Sequence, residues 1–191
     1  RYNYNSLNQV VIQKTPDAGV SRFWYDRLGR LAISQNAKQN PGNAYSYTTY
    51  DSLGRITEVG QLINATAITN AIAKNKSSLQ TWFSNAGNSR VQITQTIYDT
   101  AYGPINGVAL SQQNLRNRVS YTQVINSATD GFPAGATYYT YDIHGNVDTL
   151  LQDFGNSSGI ANAMNQHDNR FKKIVYNYDL ISGKVNQVSY Q

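Results

Sequence analysis

The heptapeptide Tyr50-Asp51-Ser52-Leu53-Gly54-Arg55-Ile56 decides the fold, because versions of it recur along the whole chain. Each version opens with tyrosine and aspartate, reaches a glycine or asparagine shortly afterwards, and then returns to alternating apolar residues. Such repetition is typical of architectures that spread their stability over many similar units. Further copies, from clear to degraded, begin at Tyr25, Tyr141, Tyr178, Tyr4 and Tyr98, the last of these taken together with Tyr102-Gly103.

The residue types within the motif predict a tight turn between two antiparallel strands. An aspartate that starts a turn accepts a hydrogen bond from a backbone N–H two residues further on. The glycine after it occupies the position where such a turn needs a positive φ. Asn8 replaces this glycine in the copy that begins at Tyr4, and asparagine is the best non-glycine residue for that conformation. The β-branched and aromatic residues 46–50 before the turn favour a strand.

These copies resemble the RHS/YD-repeat family, the tyrosine-aspartate repeats of bacterial polymorphic toxins, insecticidal toxin complexes and teneurins. Residues 141–153 and 178–191 are similar to the versions in large Bacteroidetes cell-surface proteins. The resemblance implies a mainly β fold of consecutive antiparallel β-hairpins that form part of a curled YD-repeat shell, with short helical or irregular insertions. The structural motif that it implies comprises Tyr25, Asp26, Gly29, Tyr50, Asp51, Gly54, Tyr141, Asp142, Gly145, Tyr178, Asp179 and Gly183.

The resemblance covers residues 1–191, which we therefore expect to be one YD-repeat segment. Arg1 falls inside a repeat-like Arg-Tyr-x-Tyr tract, so we expect the segment to be a fragment of a much larger protein. Family members often carry a self-cleaving aspartate-rich core and a variable toxic tail. No Asp-Pro-x-Gly-x-x-Asp-Gly tract occurs here, so no autoproteolytic residue is carried over.

The growing distance between motif copies predicts insertions near residues 61–90, 100–118 and 153–170. Within the first, apolar residues at three- and four-residue steps over 61–84 predict one helix or two short ones. Glycine and proline predict irregular connections over 100–107 and 129–135, and residues 160–164 favour one or two helical turns. We expect these insertions to cap the sheet, although loops on a rigid sheet are also where recognition resides.

Composition narrows the class of protein. The chain has 15 Tyr, no Cys and only 14% charged residues, so disulfides and thiolate zinc sites are excluded. No signal peptide opens the sequence, and no run of 18 apolar residues could span a bilayer. A polar but weakly charged composition is typical of secreted β proteins, and we expect a bacterial protein that is secreted or at the cell surface.

The net charge of +5 raises the question of nucleic-acid binding. The basic residues are dispersed along the sequence, with one at each of several turns, as at Arg30, Arg55 and Lys184. Only Lys172 and Lys173 are adjacent in sequence. A phosphate-binding surface needs a clustered stripe of positive charge. The sequence therefore predicts no nucleic-acid partner.

No residue pattern indicates catalysis. His144 lies in a motif turn and His167 in a polar loop, where both are expected to face solvent. Residues 155–159 have Gly-x-Ser-x-Gly spacing without the strand-turn-helix context which that motif requires. The motif aspartates are committed to turns. We therefore predict no enzyme, no catalytic residue, and neither a cofactor nor a metal site.

Two functions remain. The first is a structural wall segment of an extracellular shell that encloses, carries or displays another part of the polypeptide, such as a C-terminal toxin. Its partners would be the neighbouring YD repeats and the enclosed cargo. The alternative is a carbohydrate-binding or cell-surface adhesion module, with tyrosines and Trp24 and Trp82 stacking on surface glycans. Stacked and mostly buried tyrosines would favour the shell, and an exposed aromatic row would favour the glycan module.

Overall fold

The computed structural model describes residues 1–87, 89–103, 110–155 and 169–191. Twelve strands in these ranges form one mainly antiparallel sheet whose order follows the chain. They are β1 (Tyr2–Tyr4), β2 (Val10–Thr15), β3 (Gly19–Tyr25), β4 (Leu31–Gln35), β5 (Ala44–Tyr50), β6 (Ile56–Ile63), β7 (Val91–Tyr98), β8 (Val119–Ser127), β9 (Gly135–Tyr141), β10 (Val147–Asp153), β11 (Phe171–Tyr178) and β12 (Val185–Tyr190). The predicted mainly β fold of consecutive antiparallel hairpins is confirmed.

Short helices interrupt the hairpins, as predicted. A 3-10 helix, Asn40–Gly42, joins β4 to β5, and helices α1 (Asn70–Lys74) and α2 (Lys76–Asn85) lie between β6 and β7. The predicted helical segment over 61–84 is wrong at its start, because residues 61–63 continue β6. None of the helices in the described ranges is long and apolar enough to cross a membrane. The helical turns predicted at 160–164 lie outside the described residues.

The residues divide into two compact units, Arg1–Ile93 with Ser127–Thr129, and Thr94–Asn126 with Asp130–Gln191. In the first unit, alternation along β5 buries Tyr45 and Tyr47 on one face of the sheet. Helix α2 covers this face with Trp82, whose ring lies edge-on to Tyr45 at a centroid distance of 5.3 Å. The core also contains Ala32, Ile33, Leu62, Ile68, Ala73 and Ala86. The insertion between β6 and β7 is therefore part of the unit's core, since apolar burial stabilises it there.

The second unit has a smaller core. Ala136, Tyr138 and Leu151 are buried on β9 and β10, and Leu110, Tyr121 and Phe171 pack against them. Cross-strand register places Leu151 directly opposite Tyr138. Residues that stand opposite each other share a face of the sheet, and the two-residue period of each strand sends alternate side chains to that face.

The motif hairpins share one register. In β1–β2, β3–β4, β5–β6, β9–β10 and β11–β12, the motif tyrosine ends the outgoing strand and stands opposite the first residue of the return strand. The pairing shifts beside this position in each hairpin, as expected of a turn that adds a bulge. The turn therefore fixes the position of the motif tyrosine in the pairing of the two strands.

Candidate functional site

The Asp51 turn shows how the motif closes a hairpin. The backbone N–H groups of Leu53 and Arg55 each donate a 2.9 Å hydrogen bond to Asp51 Oδ1. Arg55 Nε donates to Asp51 Oδ2 at 2.7 Å, and the Gly54 N–H donates to the Asp51 carbonyl oxygen at 3.1 Å. Gly54 has a φ of +85°. One carboxylate therefore organises the whole turn, and glycine provides the left-handed conformation that the turn requires.

The other copies repeat this arrangement with substitutions. The Asp26 carboxylate accepts hydrogen bonds from the backbone N–H groups of Leu28 and Arg30 and from Arg30 Nε, at the same distances as in the Asp51 turn. Asp142 binds Asn146, whose side-chain amide takes the place of the guanidinium. Gly29, Gly145 and Gly183 have φ of +77°, +96° and +67°. The structure thus places all the predicted aspartates and glycines in turns.

Two copies depart from the pattern while keeping its chemistry. Asn5 replaces the aspartate, and its Oδ1 accepts bonds from the Leu7 and Gln9 N–H groups at 3.0 and 2.9 Å. Asp179 closes a turn one residue longer, in which Ser182 donates from both its backbone and its hydroxyl. An acceptor oxygen at the first turn position is the common requirement.

The motif tyrosines join one copy to the preceding one. Tyr50 ends β5, and its hydroxyl donates a 2.8 Å hydrogen bond to the carbonyl oxygen of Leu31, the first residue of β4. No turn connects those two strand ends. The same bond recurs, at 2.8 to 2.9 Å, from Tyr25 to Val10, from Tyr141 to Val119 and from Tyr178 to Val147. We call this set of four bonds the tyrosine ladder.

In three copies, the residue that opens the return strand after the turn also contacts the following copy. The Arg30 guanidinium lies 4.4 Å from the centre of the Tyr50 ring, and that of Arg118 lies 5.4 Å from the Tyr141 ring. Gln9 occupies the equivalent position in the first copy and donates to the Gly29 carbonyl oxygen at 2.8 Å. These cation–π and amide contacts lie beside the ladder bonds, at the ends of the strands that carry the motif turns.

The degraded copy at Tyr98 is completed differently from the prediction. Tyr102-Gly103 does not close it; instead the Asn117 N–H donates to Asp99 Oδ1 at 2.6 Å, and the Asp99 N–H donates to the Arg118 carbonyl oxygen at 3.1 Å. Asn117 has the positive φ of +59° that the glycine position needs. The copy is therefore split by an insertion, and Asn117-Arg118 corresponds to Gly54-Arg55. The sequence signal was Asn-Arg before an apolar strand.

Hydrogen bonds in the turns lower the pKa of the motif aspartates Asp51, Asp142 and Asp179. Loss of water raises the pKa of Asp51 and Asp142, but hydrogen bonds from Arg55 and Asn146 outweigh it and hold each pKa below its usual range. At Asp179 the Ser182 N–H has the largest effect and lowers the pKa. Burial raises the pKa of Tyr50 and Tyr141. At neutral pH these three aspartates are therefore acceptors, and these two tyrosines are donors.

A polar cluster beneath α2 was missed by sequence reasoning. The Tyr47 hydroxyl donates to Glu58 Oε1, which also accepts a 2.9 Å bond from Arg90. Burial is the first cause that raises the pKa of Tyr47, and the hydrogen bond to Glu58 is the second. Since Arg90 pairs with this carboxylate, the cluster is a compensated ion pair against the core.

His144 lies within a motif turn, beside the aspartate of that turn. His144 is exposed and its Nδ1 lies 3.8 Å from Asp142 Oδ2, within the motif turn. His167 and the serines of the 155–159 tract lie outside the described residues. Among the residues that the structure does describe, no three His, Cys, Asp or Glu side chains are grouped to hold a metal ion.

The two tryptophans proposed for glycan stacking occupy core positions. Trp82 is buried, and its Nε1 donates to the Thr66 carbonyl oxygen at 2.7 Å. Trp24 is half-buried and packs edge-on against Tyr45. The motif tyrosines are half-buried with their hydroxyls engaged in the ladder. Tyr2 and Tyr4 on β1 are different, because both rings are more than half exposed and their centroids lie 6.5 Å apart.

The chain matches no protein-family model, and no curated protein shows significant similarity to it. Among solved structures, it is similar to a Photorhabdus luminescens Tc holotoxin pore with a mutated TccC3, at 11% sequence identity and a TM-score of 0.28, over 100% of this chain and 12% of that one. It is also similar to a TcdB2-TccC3 crystal structure, at 10% identity and a TM-score of 0.28, over 100% of this chain and 11% of that one. The chain thus spans about an eighth or less of the solved chains that it matches.

Proposed function

We propose that this chain is a wall segment of an extracellular YD-repeat shell, which encloses, carries or displays another part of the same polypeptide, such as a C-terminal toxin. The tyrosine ladder supports this proposal most directly. In the ladder, the hydroxyl of a motif tyrosine donates a hydrogen bond to a backbone carbonyl oxygen of the preceding copy. A module built for catalysis would instead leave such groups facing a substrate.

The energetic role of the motif agrees with a scaffold. Each aspartate accepts hydrogen bonds from backbone N–H groups that the tight turn would otherwise leave without a partner in the protein, and each such bond contributes modestly to stability. Repeated over the copies, these small terms stabilise a wall that has no disulfide. The proposal therefore assigns no enzymatic activity to the chain. Its partners are further YD repeats and the cargo, and its location is outside a bacterial cell.

The proposal is tested on the polypeptide that contains this chain. Electron microscopy of the purified protein should show a hollow particle, and limited proteolysis should spare the segment inside it. Tyr50→Ala and Tyr141→Ala, which remove ladder bonds together with packed rings, should expose the same segment to protease. An open particle whose other segments are digested equally fast in wild type and variants would refute the wall role.

Carbohydrate binding is the alternative, and the exposed Tyr2–Tyr4 pair favours it. Two neighbouring rings with open faces can stack on sugars. A glycan array followed by titration calorimetry tests this, with Tyr2→Ala/Tyr4→Ala as the variant and the tyrosine ladder left intact. Binding that disappears in this variant would support the adhesion module, and no binding to the wild-type chain would exclude it.

A further inference from the structure

A groove in the first unit separates the motif turns from the helical insertion. It has a volume of about 570 Å³ and lies between the turns of β3–β4 and β5–β6 on one side and α1 and α2 on the other. Its lining includes Arg27, Leu28, Ala32, Tyr50, Lys76 and Leu79. None of these residues belongs to the buried core except Ala32. The helical insertion therefore creates a concave surface that a hairpin sheet alone would lack.

The floor of the groove is apolar, but its aromatic rings are already occupied. Leu28 and Leu79 contribute aliphatic surface, and Leu28 is 64% exposed. The Tyr50 ring is covered by the Arg30 guanidinium at 4.4 Å. The Phe83 ring packs edge-on against Tyr47 at 5.5 Å. A ligand would thus find aliphatic contacts here in preference to flat faces on which a base or a sugar ring could stack.

The rim of the groove carries uncompensated positive charge. Asp26 and Asp51 line the groove, but their carboxylates pair with Arg30 and Arg55. Arg27 and Lys76 are exposed and form no ion pair within the described residues. Both also line an adjoining hollow of about 450 Å³ with Lys74, whose lining contains no carboxylate. Arg27 and Lys76 therefore line both hollows, and Lys74 adds a third cation to the second one.

The same sign dominates the whole first unit. Its residues include ten of the 16 Lys and Arg but only four of the 11 Asp and Glu, a net charge of +6, whereas the second unit has six and seven, a net charge of −1. The linear sequence does not reveal this division because basic residues are spaced along it. A positive surface around a cleft attracts anionic partners before contact.

We infer that this groove binds an acidic peptide segment that carries aliphatic side chains. Its carboxylates would pair with Arg27, Lys74 and Lys76, and its aliphatic side chains would contact Leu28 and Leu79. Nucleic acid fits less well, because three cations do not form a stripe and the ring faces are occupied. The inference goes beyond the shell-wall role and holds whether or not a shell forms.

Fluorescence anisotropy tests the inference with a short fluorescein-labelled peptide of alternating leucine and glutamate. Lys74→Gln/Lys76→Gln should weaken binding about three- to tenfold, the range for losing two exposed ion pairs. The matched control is Lys14→Gln/Lys38→Gln, which removes the same charge from exposed residues elsewhere in the first unit and should change affinity less than about twofold.

Two further comparisons separate the apolar part from simple charge attraction. Leu28→Ser should weaken binding, whereas Leu53→Ser should not, because Leu53 has the same motif position and similar exposure but does not line the groove. A peptide with glutamine in place of glutamate should bind poorly. Equal losses in the groove and control variants, no binding of the acidic peptide, or tighter groove-dependent binding of a single-stranded oligonucleotide would each overturn the inference.

Discussion

The hydroxyl of Tyr141 donates a 2.9 Å hydrogen bond to the carbonyl oxygen of Val119. Tyr141 ends β9 and Val119 begins β8, so the bond joins two neighbouring strand ends that the chain connects only at their opposite ends. Three other motif tyrosines make the equivalent bond. At one end of this strand pair a turn joins the two strands, and at the other end the tyrosine side chain joins them.

Removing only the Tyr141 hydroxyl should be measurable. Tyr141→Phe leaves the ring in place but deprives the Val119 carbonyl oxygen of a donor, so we expect the free energy of unfolding to fall by about 1 kcal/mol. Urea unfolding followed by circular dichroism gives this value. Tyr4→Phe is the matched control in an exposed motif position and should change stability by less than about 0.5 kcal/mol. Equal effects of the two changes would argue against the ladder.

Gly145 should tolerate alanine less well than Gly183. Both have a positive φ, but a Cβ on Gly145 would lie 2.5 Å from Arg118 Nη2, whereas a Cβ on Gly183 would meet nothing within 4 Å. We expect Gly183→Ala to cost about 1 kcal/mol of stability from backbone strain alone, and Gly145→Ala about 2 kcal/mol, because displacing the Arg118 guanidinium would also break its 2.6 Å hydrogen bond to the Asn114 carbonyl oxygen.

The excess at Gly145 should depend on Arg118. In the background of Arg118→Ala, the two alanine substitutions should have similar costs in urea unfolding, because the crowded side chain is gone. If Gly145→Ala keeps its larger effect in that background, the contact with Arg118 is not the cause.

Acid should destabilise the turns. The pKa values of Asp51, Asp142 and Asp179 are lowered by folding, so their contribution to stability is complete above the unfolded pKa of about 3.9 and is lost as the pH falls through the lower folded values. Urea unfolding at a series of pH values should therefore show stability falling below about pH 4. Asp51→Asn keeps the acceptor oxygen, as Asn5 does naturally, and should reduce this acid dependence. An unchanged pH profile in that variant would contradict the assignment.

Asn117 should behave as a glycine position. Asn117→Gly should leave stability within about 0.5 kcal/mol of the wild type, and Asn117→Ala should cost about 1 kcal/mol because alanine resists the left-handed conformation. Asn8, with φ of +58°, offers a matched position in an unsplit copy. Differential scanning calorimetry of the Ala and Gly variants at both sites tests the idea. An Asn117→Ala protein as stable as its Gly counterpart would show that Asn117-Arg118 does not complete the motif.

The turns could be predicted from sequence because their bonds are local. Asp51 and Arg55 are four residues apart, so the spacing of residue types alone specifies the contacts. The tyrosine ladder could not be predicted in the same way. Its donor and acceptor residues are separated by 15, 19, 22 and 31 residues, since connections of different length intervene. The strand register had to be known before the partner carbonyl could be identified.

The split copy and the groove were hidden for related reasons. Asp99 and Asn117 lie 18 residues apart, which conceals a motif that is contiguous in space. Arg27 is brought beside Lys74 and Lys76 only when the helical insertion packs on the sheet. In both cases, an insertion changed which residues are neighbours without changing the hairpin pattern that identified the fold.

The tyrosine ladder also distinguishes the correct strand alignment from its nearest errors. A slip of one residue between β4 and β5 would shift Tyr50 by about 3.3 Å along its neighbour and turn its side chain to the other face of the sheet. Its hydroxyl could then no longer reach the Leu31 carbonyl oxygen. Backbone pairing alone would tolerate such a slip, whereas the ladder makes it costly at each copy. The four ladder tyrosines therefore favour the native register over a slipped one when the strands pair.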